Sequence, residues 1–94
     1  MANLNIFAGL DISKAFFDLS ILSDGKTIRS AKFSNDQEGF LQLKSILPAG
    51  VHCIMEATGP YYLRLATWLH NNGFVVSVVN PLVIRRFAQM PLRR

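Results

Sequence analysis

The sequence predicts one α/β domain built on a mixed five-stranded sheet, and three observations predict it. The first third carries apolar and alternating segments around a tight-turn signal, the pattern of antiparallel strands. From Asn35 onward, segments of helical period alternate with short apolar runs. The length of 94 residues accommodates one domain with one modest core.

The elements follow in order. Residues 5–11 are apolar, end on Asp11 and read as a strand with both faces buried. Residues 15–22 mix β-formers with partial alternation and give a second strand; Ser23-Asp24-Gly25 supplies the turn that follows. Residues 26–33 set Lys26, Ile28, Ser30 and Lys32 on one face against Thr27, Arg29, Ala31 and Phe33 on the other, which suits an edge strand whose lysines deter pairing with another sheet. Asn35, with Glu38 three residues on, reads as the capped start of a helix carrying Phe40, Leu41, Leu43, Ile46 and Leu47, ended by Pro48 and Gly50. Residues 51–56 form a short buried strand. Thr58 and Gly59 prepare a second helix with Pro60 at its first position; residues 61–70 place Tyr62, Leu65, Ala66 and Leu69 on one face, and Asn72-Gly73 stops it. Residues 74–79 are another buried strand, and Asn80-Pro81 opens a third helix running towards Met90. The order is β-β-β-α-β-α-β-α, a meander followed by alternating units, which implies a mixed sheet with helices on its faces. It matches the ribonuclease-H-like layout.

Composition excludes several classes. Half of the residues are hydrophobic and 17% are charged, too apolar for a disordered tail. No apolar run reaches the roughly 18 residues of a membrane span, and no charged segment, apolar stretch and small-residue cleavage site stand together near Met1. Cys53 is the single cysteine, so the chain is expected in the reduced cytoplasm, without an internal disulfide. The formal net charge is +4 and the pI about 9.7, a balance that favours polyanionic partners. Arg85, Arg86, Arg93 and Arg94 concentrate this charge near the end of the sequence, as phosphate contacts or as a solvated helix end favoured by the helix dipole.

Two acids stand out by position. Asp11 ends the first strand and Glu56 the fourth. If these strands are neighbours, the two carboxylates emerge at one edge, where their repulsion is relieved by a divalent cation. Mg²⁺ takes hard oxygen ligands, usually one or two protein carboxylates, and keeps several waters. The plainer alternative is that both acids cap the turn or helix that follows them.

Three blocks bear on that choice: Gly9-Leu-Asp-Ile-Ser-Lys14, Met55-Glu-Ala-Thr-Gly-Pro-Tyr61, and Val78-Val-Asn-Pro81 with Arg86-Phe-Ala88. In this order and spacing the chain resembles the N-terminal region of the DEDD transposases of the insertion-sequence-110 family, which includes pilin-gene inverting recombinases and RNA-guided bridge recombinases. The resemblance covers nearly the whole chain. It implies a RuvC-like domain of the ribonuclease H fold over residues 1–94, acting in DNA strand cleavage and exchange with Mg²⁺ or Mn²⁺. Asp11 matches the first acid of the family's tetrad and Glu56 its Glu, as catalytic and metal-binding residues. The remaining two acids are expected in a Lys-Thr-Asp-x-x-Asp-like segment, and the family's nucleophilic serine in a further domain; this sequence reaches Arg94 before either. The expectation is therefore a domain truncated before its last two acids, inactive alone and part of a longer transposase. Asp18, Asp24 and Asp36 are poor substitutes by position. DNA is the implied partner, with guide RNA and a second copy of the chain as further ones, and no membrane.

Lesser candidates complete the reading. Lys14, just past Asp11, neutralises a phosphate near the site or is a solvated turn lysine. His52 and His70 lack zinc-ligand spacing, and Cys53 reads as an inert core thiol. Two other functions compete with the recombinase. One is a non-catalytic nucleic-acid-binding or self-association module. The other is an actin-like ATPase or sugar-kinase fragment, which also opens with a Gly-x-Asp strand; the loop after Asp11 here lacks the glycine that lets backbone approach a phosphate.

Overall fold

The structure is a computed structural model that describes residues 5–57 and 59–80. Its elements are β1 (Ile6–Ile12), β2 (Phe16–Ser23), β3 (Lys26–Ser34), α1 (Gln37–Ile46), β4 (His52–Glu56), α2 (Leu63–Asn71) and β5 (Val75–Val79). They form one five-stranded sheet in the order β3-β2-β1-β4-β5. β1, β2 and β3 are an antiparallel meander, while β4 and β5 join β1 in parallel. This is the predicted mixed sheet of the ribonuclease-H-like α/β class, with β3 at the edge. The predicted third helix, with Pro81, Arg85, Arg86, Arg93 and Arg94, lies outside the described residues, as does Thr58.

The meander closes through Asp24 and Gly25, both at positive φ (53° and 81°). A two-residue hairpin loop needs this backbone to match strand twist, and Asp-Gly tolerates it. Register then sorts the side chains. Ala8, Leu10 and Ile12 of β1, Phe17, Leu19 and Ile21 of β2, and Cys53 and Met55 of β4 face one side and are buried. Both described helices cover that side, α1 through Phe40 and Leu43 and α2 through Leu65 and Leu69. Full burial of each such leucine contributes about 2 kcal/mol. A run of rings crosses the core: Phe33 to Phe17 at 5.4 Å, Phe17 to Phe40 at 6.1 Å, Phe40 to Trp68 at 5.7 Å.

Three expectations change. β1, β4 and β5 are not buried on both faces among the described residues. Phe7, Gly9 and Asp11 alternate with the buried set and point away from the helices, together with His52, Ile54 and Glu56. The helix cap is Asp36, not Asn35: the Asp36 carboxylate accepts from the Gly39 N–H at 2.9 Å. β3 runs to Ser34, and the Asn35 N–H is already given to the Ala15 carbonyl at 2.8 Å, so the helix begins one residue later. Pro60 is not the first residue of α2. It begins a turn in which its carbonyl accepts from the Leu63 N–H at 3.3 Å, and the helix starts at Leu63.

Candidate functional site

The pairing of β1 with β4 decides where the two acids lie. Leu10 stands opposite Met55 in this parallel ladder, and the acid is the next residue on each strand. Leu10 and Met55 are buried under the helices, so Asp11 and Glu56 leave the opposite face. Neighbouring strands lie about 4.8 Å apart. Asp11 and Glu56 therefore stand side by side, on one face and at one rim of the sheet. Asp11 is exposed and Glu56 half-buried. The rim is formed by the carboxyl ends of the parallel strands, the place where open α/β sheets hold ligands.

Other groups collect at this rim. The hairpin after β1 is closed by Ser13, whose N–H and hydroxyl both donate to the Phe16 carbonyl, at 2.8 and 2.9 Å. Lys14 follows at the exposed tip. Asn80 comes immediately after β5, and the Ala57 N–H donates to the Val79 carbonyl at 2.9 Å, binding the end of β4 to β5. Asn35 joins from the β3–α1 connection. Its side-chain N–H₂ faces the carbonyls of Ser13 (3.0 Å), Lys14 (3.5 Å) and Tyr61 (3.2 Å).

Asp18 is the residue whose place strand number alone concealed. It stands directly opposite Asp11 in the antiparallel ladder and opposite Lys32 on its other side. A lateral row Lys32, Asp18, Asp11, Glu56 thus crosses four strands on the open face. Lys32 Nζ lies 3.7 Å from Asp18 Oδ1, with both side chains more than half exposed. An exposed pair of this kind contributes little stability, but it supplies a counter-charge beside one of three adjacent carboxylates.

The donor chemistry fits a hard divalent cation in part. Two oxygen-bearing side chains on adjacent strands match the one or two carboxylates Mg²⁺ takes from a protein. Among the described residues, no three His, Cys, Asp or Glu side chains form a group that could hold a metal ion. His52 is engaged elsewhere: its Nε2 is 2.6 Å from Ser77 Oγ, and its ring lies 5.8 Å from that of Phe7. Burial pushes the Cys53 thiol up to about 11, which keeps it protonated and inert. A cleft of about 390 Å³ between α1 and α2, lined by Phe40, Leu63, Arg64 and Trp68, opens on the helix side, away from the acid row.

Comparison with known proteins bears on what this rim does. The model of the insertion-sequence-110 DEDD family, described as a transposase, matches residues 8–94. The pilin gene-inverting proteins of Moraxella lacunata and Moraxella bovis are each 36% identical over 89 residues, covering 88% of this chain. The chain spans 27% of the length of those relatives. A crystal structure of the Aquifex aeolicus member of the Ppx/GppA protein family shares the fold, with a TM-score of 0.51 and 13% identity, over 92% of this chain and 38% of that one.

Proposed function

This chain belongs to the DEDD transposase family of insertion sequence 110, and from that premise we propose that it forms the metal-binding part of a RuvC-like recombinase domain, with Asp11 and Glu56 as ligands. DEDD transposases typically use divalent metal ions, and membership of the family implies DNA as the partner. The observation that carries the reading is the Leu10–Met55 pairing, which brings the two acids together on one face at one rim. Family membership favours recombination over an actin-like ATPase.

The two carboxylates would hold Mg²⁺ or Mn²⁺. When bound, such an ion supplies activation of a water or hydroxyl and stabilisation of the leaving oxygen in phosphodiester cleavage. Asp11 and Glu56 provide hard oxygens. Lys14, at the neighbouring hairpin tip, offers an ammonium to a backbone phosphate of the strand laid on the rim. Lys32 offsets the charge that Asp18 adds beside Asp11. Arg85, Arg86, Arg93 and Arg94 add phosphate contacts. We assign ion and strand positioning to this chain; cleavage itself needs oxygen ligands beyond these two. Guide RNA and a second copy of the chain are further partners within the same proposal. Among the described residues no helix is long and apolar enough to cross a membrane; we propose the cytoplasm for a DNA-acting chain whose Cys53 thiol is free and buried.

Calorimetric titration with Mn²⁺ tests the reading. Binding is expected in the natural chain and lost in both Asp11→Asn and Glu56→Gln, with circular dichroism unchanged. Equal binding in all three chains refutes the ligand assignment. A second reading, a nucleic-acid-binding module without catalysis, is favoured by the lack of a three-ligand group among the described residues. Metal-independent DNA binding by both variants, with no Mn²⁺ bound to the natural chain, would select it.

A further inference from the structure

We propose that the Asn35 carboxamide is a positioning group for the acid pair: it ties together the loops that follow Asp11 and Glu56 and so sets the spacing of the two carboxylates. This rests on reading Asp11 and Glu56 as an ion site. The ladder between β1 and β4 runs to Leu10 and Met55, one residue short of the acids. Beyond the acids β1 continues into the Ser13–Lys14 hairpin and β4 into the segment that leads through Tyr61 to α2. Asn35 reaches both: its Nδ2 lies 3.0 Å from the Ser13 carbonyl and 3.2 Å from that of Tyr61, with the Lys14 carbonyl at 3.5 Å. Two N–H bonds thus serve two loops. The orientation is determined by its surroundings, since a flipped amide would aim its oxygen at carbonyl oxygens. The backbone holds Asn35 in place independently, through its own N–H to the Ala15 carbonyl at 2.8 Å.

The other end of the carboxamide is spent differently. Asn35 Oδ1 is buried and has no hydrogen-bond partner among the described residues. Leaving a buried acceptor unmade costs free energy, so what the side chain contributes lies in its donor end, which spans two loops that the sheet does not join at this point. An aspartate would set negative oxygen against those carbonyls, and a serine is too short to reach both.

The test uses Asn35→Leu, which keeps the shape and removes the donors without adding charge. Leu47→Ala, in the core at the far end of α1, is the control for simple loss of stability. Amide hydrogen exchange by NMR and Mn²⁺ titration are read at a temperature where every chain is folded. Asn35→Leu is expected to speed exchange in both loops, around Lys14 and around Tyr61, and to weaken Mn²⁺ binding about tenfold, the low end for a group that orients ligands indirectly. Leu47→Ala is expected to do neither. Faster exchange in one loop alone or in none overturns the proposal. So does Mn²⁺ affinity equal to that of the natural chain once both loops have loosened. If the natural chain itself binds no Mn²⁺, the metal reading falls, and loosening of both loops by Asn35→Leu still establishes the tie.

Discussion

Replacing Gly39 with alanine opposes two physical effects at one site. Gly39 is the third residue of α1, where helix propensity alone favours alanine by up to about 1 kcal/mol. A Cβ built there, however, would overlap the Ser34 carbonyl oxygen and lie 2.8 Å from the Ser34 carbonyl carbon and 3.0 Å from the Ser34 nitrogen. These are backbone atoms and cannot swing aside. The segment from Ser34 to Asp36 must move by more than an ångström, and it carries the cap. Ser34 Oγ donates to Asp36 Oδ1 at 2.7 Å, and the same oxygen accepts from the Gly39 N–H at 2.9 Å. Overpacking costs about 1–3 kcal/mol, and each hydrogen bond lost adds about 1 kcal/mol. After the propensity gain is subtracted, Gly39→Ala should destabilise by about 2–3 kcal/mol. For a domain of this size that lowers Tm by roughly 10–20 °C. Urea and thermal unfolding followed at 222 nm measure it. A Tm equal to or above that of the natural chain would show that α1 and β3 do not approach so closely, and with that the description of the β3–α1 junction fails.

Three further outcomes follow from the same packing. Leu65→Ala, at a fully buried position on α2, should cost about 3 kcal/mol by cavity formation, read as a lower urea midpoint at unchanged slope. The Asp36 carboxyl is held below the ordinary carboxylate range by the Gly39 N–H and the Ser34 hydroxyl. Its stabilisation is complete above the unfolded value and is lost as pH falls through the lowered folded one, so Asp36→Asn should flatten the dependence of stability on pH below about 4. The Cys53 thiol, pushed up to about 11, favours the folded state below the ordinary thiol range and loses that advantage as pH rises towards 11. At pH 8 a disulfide reagent should therefore leave Cys53 unmodified in the folded chain and modify it fully in urea.

The fold was legible because its elements announce themselves locally. Asp24-Gly25 marks a hairpin by backbone conformation alone, and the Lys26-to-Lys32 face marks an edge. The misplaced boundaries share a different cause. Asn35 and Asp36 are both good caps, and Glu38 three residues after Asn35 tilts a local reading towards the wrong one. What decides the matter is the Ala15 carbonyl, twenty residues away in sequence, which takes the Asn35 N–H into the sheet. The same holds for Pro60: nothing local distinguishes a first helical residue from the start of a turn that precedes the helix. Among the described residues, the expected burial of β1 on both faces is not found for a related reason. A run such as Ile-Phe-Ala-Gly-Leu is apolar throughout, but Ile6, Ala8 and Leu10 within it pack on the core side, while Phe7 on the other face stays partly exposed.

The site was legible only where one strand pairing was enough. Asp11 is the last residue but one of β1 and Glu56 the last of β4, so placing β1 beside β4 brings them to one rim. Asp18 needed a second pairing and its register: an odd offset in the hairpin would have turned it under α1. With Asp11 opposite Asp18 and Leu10 beside Met55, three carboxylates stand in a row, and their mutual repulsion has to be met by something. Lys32 meets part of it at the Asp18 end. On the reading proposed above, a hard cation held by Asp11 and Glu56 would relieve that repulsion further. Asp18→Asn separates the roles. If Asp18 stands beside the ion site and not in it, its loss should weaken Mn²⁺ binding by less than about tenfold, where loss of Asp11 or Glu56 abolishes it; abolition by Asp18→Asn as well would make Asp18 a ligand and move the centre of the site onto β2.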